Sequence, residues 1–355
     1  MLSKTLINSL PLMASAIHGV AALSKGHDLS SAGYMETEQG ATWLTESGST
    51  STIEDILGAG GMDSVRLRLW TGDAYGLDYT LDLAKRFSSA GHKIYLDLHL
   101  SDTWADPSNQ ATPSAWSTSD LAGSLRSYVK STLQSFSDAG VDLDILSIGN
   151  EIIQGMLFPT GQISDNDFSG FATLWAAARA GVDDAVSAGA TKPQVMIHLN
   201  NGWDEATMTW WFKGLFDEGT VTTDMVDVLG FSFYPFFDTA ATTDALQTSL
   251  NTLASTYGKP LYVAETDWPT SCSSVDLSAD FAVSAQGQTD WVGAVVDVLN
   301  NVPDGLGAGI FYWEPAFINN TALGSDCDDN ILFDVNWDTW PETSATARSS
   351  VNMFA

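Results

Sequence analysis

Two stretches of the chain end in a carboxylate where a buried strand would carry none. They are "SIGNEIIQG" at 147–155, with Asn150 and Glu151, and "PLYVAETDWP" at 260–269, with Glu265. The residues before each glutamate have the β-branched and apolar character of parallel strands covered on both faces. If the two strands face each other, their carboxyl groups can divide one reaction between them. One protonates a leaving glycosidic oxygen while the other attacks the anomeric carbon, which requires a separation of about 5–5.5 Å. A single glutamate would as readily cap a helix or pair with an arginine. Two at strand ends make glycoside cleavage with retention of configuration the expected chemistry.

The neighbouring residues fit that division of labour. Arg66 and Arg68 in "VRLRLW" are two apart and share a face, which points inward if Leu67 and Leu69 meet the helices. Buried guanidinium groups need anionic partners. A fixed cation beside Glu265 would keep it ionised as a nucleophile, whereas the acid needs a raised pKa; a purely structural ion pair is the alternative. Tyr234, at the end of another strand-like segment, can hydrogen-bond to the nucleophile, and Asn150 can hold the hydroxyl next to the reacting carbon. Trp70, Trp104, Trp203, Trp268 and Trp313 all follow strand-like segments. Indoles stack on the apolar faces of sugar rings while still offering an N–H. His99 and His198 also fall near strand ends, but five histidines, one of them His18 near the N-terminus, are few for a metal hydrolase. No metal and no cofactor are expected. The acidic "SDCDDN" at 325–330 lacks a spaced calcium-ligand pattern and reads as a solvated loop.

Eight strand-like segments could position these groups: 26–30, 65–70, 93–100, 143–151, 194–201, 226–234, 260–266 and 308–315. Helix-patterned stretches lie between them. In one, Leu121, Leu125, Tyr128, Val129 and Leu133 form an apolar stripe and Gly140 marks the stop. Eight alternations predict an α/β fold, a (β/α)8 TIM barrel with the site at the strand C-termini. A doubly wound open sheet is the other arrangement of such elements, but the glycine-rich fingerprint after the first strand is missing. Simple alternation puts Ser147, Gly149 and Glu151 on one face of the fourth strand, and Leu261, Val263 and Glu265 on one face of the seventh. With no internal repeat and no Pro- or Ser-rich linker, residues 23–355 are expected to be one catalytic domain.

The net charge of −30 over 355 residues disfavours nucleic acid and anionic membrane surfaces as partners, and suits a neutral polysaccharide. Lys4, the interrupted apolar stretch that follows and the small residues at Ala21 and Ala22 predict a signal peptide over 1–22 and hence secretion. The stretch is too broken to span a membrane. Cys272 and Cys327, the only two cysteines, then default to one disulfide. Asn319 opens the only glycosylation sequon, and the chain is expected to act as a monomer.

Taken in order, "VRLRLW", "YLDLHLSDTWADP", "SIGNEIIQG", "MIHLNNGWD", "SFYPFF", "VAETDWP", "GQTDW" and "FYWEP" resemble glycoside hydrolase family 53 across nearly the whole mature chain. "SDTWADP" and "HLNNGWD" carry that resemblance most specifically. It implies an endo-β-1,4-galactanase of fungal type, with Glu151 as acid/base and Glu265 as nucleophile. It further implies that Arg66, His99, Asn150, Tyr234 and Trp313 line the central subsite, that Trp104, Asp106 and Trp203 contact sugars further along, and that Cys272–Cys327 ties two loops together. Asn200 is expected among the substrate-binding residues although the chain departs from the family pattern there, where an aspartate is expected near the cleft; it departs also at Phe158 and Phe317, where tryptophans are expected. A related retaining endo-glycanase acting on mannan or β-glucan, and a non-catalytic carbohydrate-binding barrel, are the alternatives.

Overall fold

Strands β3 (Ser64–Leu69) and β10 (Leu261–Thr266) are buried at every position. This is the condition of parallel strands with side chains inside a barrel and helices outside. The computed structural model describes residues 22–319 and 326–355. Its eight parallel barrel strands, numbered in chain order with the smaller ones below, are β1 (Ser24–Asp28), β3, β4 (Lys93–Leu98), β5 (Ile145–Ile148), β8 (Gln194–Leu199), β9 (Val228–Ser232), β10 and β11 (Gly307–Tyr312). They close in the order β1-β11-β10-β9-β8-β5-β4-β3, so sequential barrel strands are neighbours all the way round. The fold is the expected (β/α)8 barrel. The predicted signal segment lies, apart from Ala22, outside the described residues, as do Asn320 and Thr321 of the sequon.

Among the described residues eight α-helices accompany the strands: α1 (Ala32–Thr37), α2 (Ile53–Ala59), α3 (Leu77–Ser89), α4 (Leu121–Asp138), α5 (Ser169–Ser187), α6 (Glu205–Glu218), α7 (Thr243–Tyr257) and α8 (Ala285–Asn300). Their starts are written in the sequence. The side chains of Thr52, Asp120, Asp204, Thr242 and Ser284 each accept a first-turn backbone N–H, satisfying a donor the helix leaves open. On α4 the predicted stripe is buried at Leu121, Leu125, Val129 and Leu133, and Gly140 follows the helix with φ 73°, a conformation glycine adopts without strain. Among the described residues no helix is long and apolar enough to cross a membrane.

The strands sort their side chains into two layers. Leu67, Leu69, Leu96, Leu98, Leu146 and Ile148 join the helices in the main core. Tyr95, Ile145, Met196, Val228, Tyr262, Ala264 and Phe311 form a separate plug inside the barrel. Gly26 leaves room for that plug, because a Cβ there would run into the Phe311 ring.

One face assignment needs correction. Leu261 and Val263 pack outward with the helices, and Tyr262 and Ala264 point into the barrel. Simple alternation would then turn Glu265 outward too. A register shift between Val263 and Glu265, where β10 gains a residue against β9, reverses the phase and carries Glu265 to the mouth. Two features were not anticipated from the sequence. Strands β12 (Phe333–Asn336), β13 (Ser344–Ala347) and β2 (Thr42–Leu44) form a small side sheet, and β6 (Gly155–Met156) and β7 (Gly161–Gln162) form a short hairpin beyond β5.

Candidate active site

The end of β5 decides where Glu151 goes. The strand stops at Ile148, Gly149 takes φ 89°, and Glu151 itself sits in the left-handed region at φ 49°. The expected strand over 143–151 is therefore shorter at both ends, and Glu151 stands on the turn beyond it. Asn201 (φ 51°) and Glu314 (φ 43°) share this conformation. Holding non-glycine residues there costs on the order of 1–2 kcal/mol each, a pattern that concentrates at functional sites.

Glu151 and Glu265 line one cavity of about 720 Å³ at the C-terminal ends of the strands. His99, Trp104, Asp106, Asn150, Asn200, Tyr234 and Trp313 line it too. Arg66 lies beneath the floor, fully buried. Its guanidinium contacts Glu265 at 2.7 Å, Asp28 at 2.6 Å, Asp97 at 2.9 Å and the Asn150 amide oxygen at 2.9 Å. The Asn150 amide group also donates to the Ala105 carbonyl (2.8 Å), leaving one N–H for a ligand hydroxyl. His99 accepts from the Trp70 indole (3.2 Å) and the Ala105 amide (3.3 Å) through Nδ1, and its Nε2 lies 3.2 Å from Asp97. Burial holds its pKa below the usual value, so it is neutral with the proton on Nε2.

The two glutamates differ in what surrounds them. Burial first, then the facing Glu265 carboxylate, push Glu151 up to about 8. Burial raises Glu265 as well, but the Arg66 guanidinium and the Tyr234 hydroxyl, which donates at 2.8 Å, both oppose that rise. Tyr234 stays protonated, because burial and Glu265 raise its pKa well above the ordinary tyrosine range. The proton shared by the pair therefore resides on Glu151, and Glu265 carries the charge. Such a pair can protonate a leaving group from one side of a bond and attack from the other.

The aromatic side chains are less uniform than their spacing suggested. Trp104 (37% exposed) and Trp313 face the cavity, with ring centroids 6.2 Å apart. Trp70 is buried behind Trp104 and supports it at 5.3 Å. Trp268 is wholly buried against Trp291 and Phe281, and Trp203 is half-buried against the helical layer outside the cavity lining. An indole at a strand end can turn either way, and these two turned toward the helices. His198 is buried below the floor, bonded to Ser232 at 3.0 Å. Cys272 and Cys327 are joined by a disulfide between the loops after β10 and β11.

Several supporting residues were not singled out from the sequence. Asp28 and Asp97 bind Arg66. Glu314 is buried against Arg68 at 2.5 Å, and burial lifts it to about 7. Arg68 in turn underlies the Trp104 ring at 4.5 Å. Inward alternation of Asp97 with Tyr95 and His99 was the available signal; Glu314 lay only one residue past Trp313. Among the described residues no group of three or more His, Cys, Asp or Glu side chains is arranged to hold a metal ion.

Arg66→Lys should test the electrostatics. A lysine keeps the charge but loses the fork that reaches three carboxylates at once. Glu265 would then ionise at higher pH, so the acidic limb of the kcat/KM profile should move upward. An unmoved limb would separate Arg66 from Glu265.

A closed parallel barrel with an acid and a charged carboxylate sharing one cleft beneath aromatic walls defines the class of (β/α)8 glycoside hydrolases. Within that class, the sequence model of glycosyl hydrolase family 53 matches residues 24–345, and the chain belongs to this family. It is 42% identical over 349 residues to the arabinogalactan endo-beta-1,4-galactanase A of Aspergillus niger, spanning 95% of this chain and 97% of that protein. A solved structure described as one of two fungal beta-1,4-galactanases superposes with a TM-score of 0.86 at 40% identity, covering 94% of this chain and 99% of its own. The GH53 catalytic domain of Ignisphaera aggregans gives a TM-score of 0.78 at 25% identity, with 99% of both chains covered.

Proposed function

We propose that the protein is an endo-hydrolase of β-1,4-galactosidic bonds in arabinogalactan, acting with retention by double displacement. The observation that carries this is the opposed environment of two carboxyl groups in one cleft: Glu151 pushed up to about 8, and Glu265 held by Arg66 and Tyr234. Glu151 donates its proton to the leaving glycosidic oxygen as the C–O bond breaks. Glu265 attacks the anomeric carbon from the opposite face and forms a glycosyl ester. Glu151, now a carboxylate, takes a proton from water, which attacks the same carbon and releases Glu265. Asn150 holds a hydroxyl of the central sugar, His99 lines the pocket around it, and Trp313 and Trp104 stack on sugar faces. Trp203 lies back from the cleft and meets only the far end of a longer chain.

The choice of galactan rests on the Aspergillus niger relative and the fungal galactanases, which share about two residues in five with this chain. Residues 1–22 act as a leader removed on export, and 23–355 form a single catalytic domain that works as a monomer without a cofactor. The surface charge fits a neutral polymer. Reducing-sugar release from purified galactan, mannan and β-glucan tests the substrate. Galactan should be cut fastest; faster release from mannan or β-glucan would overturn the choice. Binding without release from any of them would instead favour a non-catalytic barrel.

A further inference from the structure

Single exposed apolar side chains are ordinary on a protein surface, but exposed aromatic rings that share one groove mark a ligand-binding site. Among the described residues six large apolar side chains are exposed, and two of them line the catalytic cavity: Trp104 at 37% and Phe237 at 54%. Trp104 stands after β4. Phe237 stands after β9, three places away round the ring, with β5 and β8 between them. The two rings therefore rise from opposite walls of the mouth, and Glu151 emerges from the shorter arc that separates them.

Phe237 is exposed but not loosely held. Its neighbour Phe236 is 3% exposed and anchors the loop. The Phe236 and Phe237 rings meet edge-on at 4.7 Å, and Tyr234 approaches Phe236 at 5.3 Å and Phe237 at 5.4 Å. Tyr234 is the residue that donates to Glu265. From there the ring contacts continue to Trp313 at 6.4 Å and on to Trp104 at 6.2 Å. One connected aromatic arc thus runs past the nucleophile, ending at each wall in an exposed ring. A ring fixed before the ligand arrives loses little freedom on binding.

A polar group accompanies this end of the arc. The Asn200 amide oxygen is buried and has no hydrogen-bond partner within the protein, although Asn200 lines the cavity. It follows β8, the strand beside β9, and the loop it belongs to packs on Ser232 through the Gly202 amide at 3.1 Å. A buried acceptor of this kind is costly unless a donor reaches it, and a sugar hydroxyl is such a donor. The aspartate expected here by the family pattern would accept the same hydroxyl with a charge; the amide oxygen accepts it without one.

We propose that Phe237 and Asn200 form a sugar-binding subsite on the opposite flank of the scissile bond from Trp104. Phe237 stacks on the apolar face of a glycosyl unit, and the Asn200 amide oxygen accepts one of its hydroxyls. The subsite makes turnover depend on chain length, since a substrate must extend past both rings to use them. This inference rests on the hydrolase reading above and names the part of that cleft which selects long chains.

The test compares Phe237→Ala and Phe237→Trp with the unaltered protein, using long galactan and a trisaccharide of the same linkage. For Phe237→Ala the ratio of kcat/KM on the long chain to that on the trisaccharide should fall about tenfold, mainly through KM. Phe237→Trp should restore it. Asn200→Ala should lower the same ratio in the same direction. A ratio unchanged in Phe237→Ala, or an equal loss on both substrates, would overturn the subsite, the latter by showing that the ring acts only through Tyr234. If the unaltered protein cuts mannan or β-glucan in place of galactan, the substrate choice fails, and the same ratio measured on that polymer still decides the subsite. Turnover of no polymer at all would overturn both.

Discussion

Glu265→Ala abolishes turnover on galactan, with a loss of at least about 10⁴-fold in kcat, the scale seen when a covalent nucleophile is removed from a site that works as a unit. The loss should be as large on an aryl galactoside with a good leaving group, because no choice of leaving group replaces the attacking carboxylate. Arg66 keeps Asp28 and Asp97 as partners, so the buried cation is not stranded and the barrel should fold. Binding of oligogalactosides should remain measurable, since the aromatic walls and Asn150 are untouched. Glu265→Gln, nearly isosteric, should be equally inactive. The check is steady-state kinetics on both substrates beside calorimetric titration with a galactotetraose. Residual activity near the unaltered level would remove Glu265 from the chemistry.

Glu151→Ala behaves differently, and the difference identifies the acid. On galactan its kcat falls by about 10²–10⁴-fold, because the sugar alkoxide cannot leave unprotonated. On an aryl oligogalactoside with a good leaving group the first step no longer needs the acid, and the loss there is far smaller. Added azide should accelerate that variant and give the β-glycosyl azide, since a small anion needs no general base to attack the glycosyl ester. The pH profile provides an independent check. Glu151 must be protonated when substrate binds, so activity on galactan declines as pH rises through about 8. Glu265 must be ionised, so activity also declines toward acid. Removing Glu151 should erase the alkaline limb. An equal loss on galactan and the aryl substrate, with that limb retained, would assign the acid role to another group.

Much of this could be read from the chain, for identifiable reasons. Most of the strands were legible because parallel strands buried on both faces are continuous apolar runs, and the two glutamates stood at or just past the ends of two of them. Inward alternation correctly aimed Arg66 and Arg68 into the barrel. The same rule failed on β10. It put Glu265 in phase with Leu261 and Val263, whereas those residues pack outward and a bulge turns the glutamate in. One extra residue in a strand leaves no mark in a pattern of hydrophobicity. The tryptophans show a second limit. Trp313 and Trp268 stand one and two residues after their strands, yet the first lines the cleft and the second packs on Trp291. Which way a ring turns depends on the loop and helix it meets. The side sheet was hidden for a third reason, because β2 and β13 pair across about three hundred residues and each is too short to stand out. Phe237 reads in sequence as one more apolar residue in "SFYPFF", and only its exposure beside the cleft sets it apart.

The anomeric configuration of the first product decides between one displacement and two. Galactan digestion followed by proton NMR in the first minutes, before mutarotation, should show the new reducing end as the β-anomer, with the α-anomer growing in afterwards. Initial release of the α-anomer would mean direct attack by water on the bond, and Glu265 could not then be the group that forms an ester with the sugar.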